Sequence, residues 1–240
     1  MIMGTIEEYK KKILEICSGK NAMPAVFKEQ GPIKPINRKA RLDEAEYIVL
    51  DTELTGLNNK MDSIVSIGAV KMVGGRIDLG SIYSRLVEPR TELTGKSIVI
   101  HGITPSEAAE CPSIDTLLPE FLDFCGSGII VGHFVSMDLG FLNKDMKRLY
   151  GEVIKNHAVD TGRLYMWLRK KEGDSCAYNG DTSEDINLFK IAESYGIQTK
   201  GAHNALNDAF ITAQVLQRFI SVLPKYGIST VGELLRIGNP

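Results

Sequence analysis

Short apolar runs divide most of the chain into predicted strands. The continuous runs YIVL and IIVG are typical of strands that are buried on both faces of a sheet. A Gly-Gly pair between two longer apolar segments is typical of a β-hairpin. The predicted strands cover residues 47–50, 63–73, 76–87, 129–132 and 157–161.

Apolar residues at helical spacing predict helices between and after these strands. Thr104, Pro105 and Glu107 form a helix start, with a capping residue, a proline in the first position and an acid three residues after the cap. Further helices are predicted over 113–128, 136–150, 161–171, 183–196 and 205–223. Because the strands first come in a run and then alternate with helices, we predict an α/β fold with a mixed central sheet of about five strands, flanked by helices.

The first 45 residues have a different pattern. Apolar residues at helical spacing predict an amphipathic helix over about 5–18, and residues 31–41 have two prolines and four basic residues, as in an extended linker. We therefore expect an N-terminal helical extension with a basic linker over 1–45 and a main domain over 46–240. The helix either packs on its own domain or forms an arm for a partner or a substrate.

Composition narrows the class of protein. The 240 residues are 43% hydrophobic with a formal net charge of −2, which is ordinary for a globular protein and argues against nucleic-acid binding by charge alone. The four cysteines show no metal-binding or disulfide spacing, and no run approaches the roughly 20 apolar residues of a membrane span. The expectation is a cytoplasmic protein with reduced thiols and no membrane partner.

Asp51 and Glu53 form the first candidate site. Residues two apart on a strand point to the same face, so both carboxylates project together from the C-terminal end of the first strand. Two adjacent carboxylates repel each other, and a divalent cation between them relieves the repulsion. The alternative is an incidental pair of acids at a solvated strand end.

Three further residues offer metal or proton chemistry. Asp138 opens the helix after the second buried strand, although an acid there is also explained by the helix dipole. His203 and Asp208 are five residues apart, roughly 140° around a helix, so they do not share a helix face. We therefore predict that His203 lies on the loop before the last long helix and that Asp208 lies one turn inside it. The alternative for His203 is a surface or capping role.

In this order, the motifs resemble those of the proofreading-type 3′–5′ exonucleases of the DEDD superfamily, histidine subclass. The resemblance covers about residues 46–223 and implies an RNase H-like fold. Two positions depart from the family pattern, since Phe134 replaces an asparagine and Met137 replaces an aromatic residue. The segments that carry the resemblance are 51–57, 99–104, 131–142 and 203–209.

The resemblance implies a mechanism and a set of site residues. Two Mg²⁺ or Mn²⁺ ions are expected, with His203 as the general base and nucleoside 5′-monophosphates released from a 3′ end. The implied metal ligands are Asp51, Glu53, Asp138 and Asp208. The expected substrate-binding residues are Thr52, Leu54, Thr55, Ile100 and His101. The alternative is that Ile100 belongs to the core and that His101 caps the helix after Thr104.

Several functions remain open at this level. The first is a DNA exonuclease for proofreading or repair, with a polymerase or a second copy as a possible partner of the N-terminal helix. The second is an exonuclease that acts on RNA or short oligonucleotides, because a 2′-hydroxyl is recognised by details of the pocket. The third is a catalytically silent nucleic-acid-binding module.

Overall fold

The five predicted strands are all present and form one sheet. The computed structural model describes residues 36–173 and 186–240. Across the sheet the strand order is β3-β2-β1-β4-β5. Neighbours among β1, β2 and β3 are antiparallel, whereas β4 and β5 run parallel to β1, so the sheet is mixed as predicted. The strands are β1 (Glu46–Leu54), β2 (Ile64–Val73), β3 (Arg76–Leu86), β4 (Ile129–Gly132) and β5 (Ala158–Asp160).

Eight α-helices lie within the described residues, and six of them were predicted. The two that were not predicted are α1 and α8, which have only seven residues each. The predicted N-terminal helix lies outside the described residues. The helices are α1 (Gly95–His101), α2 (Pro105–Ala109), α3 (Ile114–Cys125), α4 (Ser136–Tyr150), α5 (Thr161–Lys171), α6 (Leu188–Ser194), α7 (Ala205–Val222) and α8 (Val231–Ile237).

Strand β1 divides the hydrophobic core into two layers. Because side chains alternate along a strand, Tyr47 and Val49 face one side of the sheet and Ile48 and Leu50 face the other. The first layer packs against α5, α6, α7 and α8, and the second packs against α3 and α4. All four residues are fully buried, which explains the continuous apolar run at this strand.

The described end of the predicted linker packs on the domain. Leu42 is 3% exposed, and its carbonyl accepts a hydrogen bond from the hydroxyl of Tyr47 at 2.8 Å. The amide of Val231, at the start of α8, donates to the carbonyl of Ala40 at 3.0 Å. Residues 36–45 are therefore held against β1 and α8. Within the described part of the chain, no helix is both long enough and apolar enough to cross a membrane.

Candidate active site

The C-terminal end of β1 carries two of the predicted carboxylates. Asp51 and Glu53 continue the face of Tyr47 and Val49, so they point toward the layer that contains α7. Both carboxylates therefore lie on the same face of β1, as the spacing predicted. Glu53 is only 9% exposed, which means that its charge is largely removed from water.

Helix α7 brings Asp208 onto this face of the sheet. Gly68 of β2 lies opposite Asp51 in the strand register, and a Cβ at this glycine would overlap the backbone of Ala205 and Leu206. The missing side chain lets the first turn of α7 lie directly on β2. This close approach brings Asp208, in the same turn, near the C-terminal end of β1.

Asp51, Glu53 and Asp208 form one cluster, in which a ligand oxygen of each lies within 4.8 Å of the others. We call these three residues the carboxylate group. Burial, followed by the charges of Asp208 and Asp138, raises the pKa of Glu53 to about 7. Burial also raises the pKa of Asp208 to about 6, against the opposing effect of a hydrogen bond from His203. Burial and the neighbouring carboxylates raise the pKa of Asp51 well above its ordinary value. Full ionisation of all three carboxylates at neutral pH is therefore unfavourable.

Asp138 stands beside this group, on the opposite side of β1. It lies in the first turn of α4, which packs on the face of Ile48 and Leu50. The hydroxyl of Thr52 projects to that face and donates to Oδ1 of Asp138 at 2.6 Å. Burial raises the pKa of Asp138, while this hydrogen bond opposes the rise. Asp138 also raises the pKa of Asp51 electrostatically, so the fourth predicted carboxylate acts on the same region.

His203 lies on the loop that enters α7, as the spacing predicted. Its φ of 67° is in the left-handed region, which is uncommon for a residue other than glycine. Its backbone N–H donates to Oδ2 of Asp208 at 3.1 Å. The side chain is exposed, and the ring packs edge-to-face on Phe189 with centroids 5.3 Å apart.

The donor atoms of this group suit a divalent cation. Oδ1 of Asp208 is buried and has no hydrogen-bond partner among the described residues. No lysine or arginine in 36–173 or 186–240 forms an ion pair with Asp51, Glu53 or Asp208. Carboxylate oxygens are the ligands that Mg²⁺ and Mn²⁺ prefer. The residues present therefore fit a divalent metal.

Two predicted substrate-binding residues use their polar atoms within the fold. Thr52 is 8% exposed and its hydroxyl holds Asp138. Thr55 is fully buried, its amide donates to the carbonyl of Ser63 at 2.9 Å, and its hydroxyl accepts from the Ser63 amide at 3.0 Å. Both residues thus shape the end of β1 and the loop that follows it.

The other predicted substrate-binding residues lie closer to the surface. Ile100 of α1 is 56% exposed, so it is not a core residue. Nδ1 of His101 accepts from the backbone amide of Ile103 at 3.1 Å, next to the Gly102 that ends α1. The helix after Thr104 is instead capped by the Thr104 hydroxyl. Leu54 is partly buried at the end of β1.

The sequence pattern missed two contributors to the site. Gly68 gave no signal, because a glycine inside an apolar strand pattern does not reveal which element lies against it. The hydrogen bond from Thr52 to Asp138 joins residues 86 positions apart, so no local pattern points to it. The alternation along β1 does place Thr52 on the face opposite Asp51, and this is the only signal that could have suggested it.

The class of protein follows from the comparison with known families. A family model described as "Exonuclease" matches residues 48–216, and this chain belongs to that family. The predicted exonuclease class is therefore confirmed.

Two relatives illustrate how far the similarity extends. The "DNA polymerase III subunit epsilon" of Aquifex aeolicus strain VF5 is 33% identical over 205 residues, which is 85% of this chain and 95% of that protein. The "DNA polymerase III PolC-type" of Thermotoga maritima is 34% identical over 205 residues. That match also covers 85% of this chain but only 14% of the much longer relative.

Solved structures confirm the RNase H-like fold. Exonuclease X in complex with 5′ overhanging duplex DNA has a TM-score of 0.58 and 24% identity, and the match covers 80% of this chain and 98% of that chain. Escherichia coli exonuclease I in complex with a dT13 oligonucleotide has a TM-score of 0.65 and 16% identity, covering 77% and 43% of the two chains.

Proposed function

We propose that this protein is a metal-dependent 3′–5′ exonuclease that releases nucleoside 5′-monophosphates from the 3′ end of DNA. The observation that carries the proposal is the convergence of Asp51, Glu53 and Asp208 within 4.8 Å, in a chain of the exonuclease family. DNA is favoured over RNA because the relatives are named as DNA polymerase III proteins and the two structures were solved with DNA.

In this proposal, two Mg²⁺ or Mn²⁺ ions are held by Asp51, Glu53, Asp138 and Asp208. The hydrogen bond from Thr52 orients the Asp138 carboxylate toward the site. When bound, the ions favour ionisation of the attacking water and stabilise the charge on the leaving 3′ oxygen. A bound cation would also favour the ionised carboxylates, whose pKa values are raised first by burial and then by the neighbouring charges.

His203 is proposed to take the proton from the attacking water at a ring nitrogen. Its exposed side chain and its position at the entrance of α7, one turn from Asp208, allow it to reach a substrate phosphate. An imidazole has a ring nitrogen that can accept a proton, which is the chemistry that a general base requires. A positioned general base contributes about 10²-fold to 10⁴-fold to the rate.

The terminal nucleotide is proposed to contact the exposed apolar surface near the end of β1. Val99 and Ile100 of α1 are 85% and 56% exposed, and Leu57 of the loop after β1 is 76% exposed. The start of α1 lies next to the end of β1, because the hydroxyl of Thr94 donates to the carbonyl of Thr55 at 3.4 Å. A contiguous exposed apolar patch marks a binding surface. Leu54 and His101 complete this surface, whereas Thr52 and Thr55 support it from within.

The test is digestion of three substrates, each labelled at the 5′ or the 3′ end: single-stranded DNA, duplex DNA and RNA. With Mg²⁺ or Mn²⁺ we expect a ladder that shortens from the 3′ end and labelled mononucleotides, and no products with EDTA. His203→Ala should slow the release strongly. The matched control is His157→Ala, an exposed histidine before β5, at the opposite end of the sheet.

Three results would contradict this proposal. Internal cleavage or shortening from the 5′ end would exclude a 3′–5′ exonuclease. Faster release from RNA than from matched DNA would favour the RNA-directed function. Full activity in EDTA would remove the metal from the mechanism.

Association with a polymerase is a further part of the proposal. It is supported by the names of the two relatives, both of which are DNA polymerase III proteins. Residues 1–35 are the candidate contact, or else they join two copies of this chain. Size-exclusion chromatography of the full chain and of a variant that starts at residue 36, each with and without a replicative polymerase, distinguishes the two.

A further inference from the structure

Phe189 is the aromatic neighbour of His203. The two ring centroids are 5.3 Å apart and the planes are inclined at 77°, which is an edge-to-face arrangement. The backbone of His203 is fixed separately, because its N–H donates to Oδ2 of Asp208. This hydrogen bond fixes only the backbone, so the imidazole could still rotate about its side-chain torsions. The ring of Phe189 restricts that rotation.

Phe189 is itself held at the start of α6. The side chain of Asn187 caps this helix and accepts hydrogen bonds from the amides of Phe189 and Lys190, at 3.0 and 3.3 Å. Leu188, next to Phe189, is buried in the core layer that contains α7. The ring of Phe189 therefore projects from a fixed helix start rather than from a free loop.

His133 ties this helix start to the end of β4. Nε2 of His133 lies 2.7 Å from the carbonyl of Ile186, so this nitrogen carries the proton and donates. The other ring nitrogen lies 3.0 Å from the hydroxyl of Thr161. The segment that carries Phe189 is thus joined to the strand whose following helix carries Asp138.

From this geometry we infer that Phe189 is a positioning residue that orients the imidazole of His203 toward the carboxylate group. The inference rests on the proposed role of His203 as the general base. Phe189 touches neither substrate nor metal in this proposal, and acts only through the histidine. Small displacements of a catalytic group reduce the rate of the chemical step more than they reduce binding.

The first test is a double-mutant cycle on the full chain. Phe189→Leu should lower kcat by about 10-fold to 100-fold and leave KM unchanged. In the His203→Ala background, Phe189→Leu should cause no further loss, because the group that it orients is absent. Multiplicative losses in the double variant would overturn the inference.

The matched control is Tyr195→Leu. Tyr195 ends the same helix and packs edge-to-face on Phe219, with centroids 5.7 Å apart, but it makes no ring contact with His203. We expect kcat of Tyr195→Leu to stay near that of the wild type once both proteins are shown to be folded. A loss equal to that of Phe189→Leu would mean that the effect comes from the packing of α6 in general.

The second test detects the contact between Phe189 and His203 without measuring exonuclease activity. The chain has four histidines, and the imidazole proton signals of His203 are assigned by their absence in His203→Ala. In the metal-free protein these signals should carry a ring-current shift that disappears in Phe189→Leu and persists in Tyr195→Leu. Phe189→Met, with an unbranched apolar side chain, replaces the leucine variant if that variant does not fold.

The two tests separate this inference from the proposed function. A wild-type protein without exonuclease activity would refute the function, while the shift would still establish or exclude the contact. Unchanged His203 signals in Phe189→Leu would refute the positioning role, even in a fully active enzyme.

Discussion

Two clusters in this protein contain acidic side chains whose pKa values shift in opposite directions. In the first, Asp51, Glu53 and Asp208 lie within 4.8 Å of one another and form no ion pair with a described residue. Burial and mutual repulsion raise the pKa of Glu53 to about 7.

In the second cluster, every acid has an arginine. Asp115 of α3 accepts hydrogen bonds from Arg90 at 2.8 Å and from Arg148 at 2.5 Å, and Arg148 also contacts Asp145 at 2.7 Å. Burial alone would raise the pKa of Asp115, but the hydrogen bonds and charges of the two arginines outweigh it and lower the pKa. We call these four residues the paired cluster.

The difference shows where the fold leaves charge uncompensated. The paired cluster joins α3 to α4 and satisfies its own charges. Ionisation of the carboxylate group is unfavourable unless a cation binds. Carboxylates with such raised pKa values are more frequent at functional sites than elsewhere. Substitutions in the two clusters should therefore have opposite effects on stability and very different effects on activity.

The largest expected effect comes from Asp51→Asn. Loss of a metal ligand removes several kcal/mol of transition-state stabilisation, so kcat should fall by about 10³-fold or more. The same substitution should stabilise the metal-free fold, because an asparagine avoids the cost of burying an ionisable carboxyl beside other carboxylates. Rate measurements check the fall in kcat, and denaturant unfolding in EDTA checks the gain in stability. A variant that is both active and less stable than the wild type would contradict the difference between the two clusters.

Gly68→Ala should disturb the carboxylate group without changing any of its acids. The added Cβ overlaps the backbone of α7, which must shift, at a cost of about 1–3 kcal/mol in the free energy of unfolding. Because Asp208 moves with α7, calorimetry should also show weaker Mn²⁺ binding. Gly95→Ala is the control, since a Cβ there has no neighbour within 4 Å, and equal effects of the two variants would exclude the close approach as the cause.

The pH dependence of stability should distinguish the metal-free and metal-bound protein. Glu53 and Asp208 have pKa values of about 7 and 6 in the folded state, above the roughly 4 of unfolded carboxylates. The folded state therefore binds more protons in this window, and the free energy of unfolding should fall as pH rises from 5 to 8, by roughly 1–3 kcal/mol.

Saturating Mn²⁺ should flatten or reverse this dependence, because metal binding favours the charged carboxylates. Denaturant unfolding at pH 5 and pH 8, in EDTA and in Mn²⁺, measures both curves. If the free energy of unfolding of the metal-free protein rises between pH 5 and pH 8, the raised pKa values do not determine how its stability depends on pH.

The smallest effect is expected from Asp115→Asn in the paired cluster. This partly exposed carboxylate should contribute about 1 kcal/mol or less, so thermal unfolding should shift by only a few degrees and kcat should not change. Since its pKa is lowered in the fold, its contribution is present above the unfolded pKa and is lost as pH falls through the folded value. A large loss of activity would contradict the prediction, because it would mean that the paired cluster also supports catalysis.

Local patterns were enough for most of the fold. Five apolar runs became the five strands of the sheet, and the predicted helix over 136–150 has those bounds in the structure. Helix α8 was not predicted, although Thr230 and Glu233 form a capping box at its start. Seven residues give too few turns for a clear apolar stripe, so short helices depend on tertiary packing.

The carboxylate group was predictable only in part. Asp51 and Glu53 share a face because strand periodicity requires it. The resemblance to known exonucleases pointed to Asp138, His203 and Asp208, but it did not show that Asp138 approaches from the other face of β1, with Thr52 as its partner.

The sequence by itself determined the order of the elements and the spacing of the chemical groups, because both follow from side-chain periodicity within one element. Only the tertiary structure decided the distances between elements. Gly68 lets the backbone of α7 reach β2, and the ring of Phe189 reaches His203 across a gap of 14 positions in the chain. Such contacts depend on how separate elements pack against each other, and local spacing contains no information about that packing.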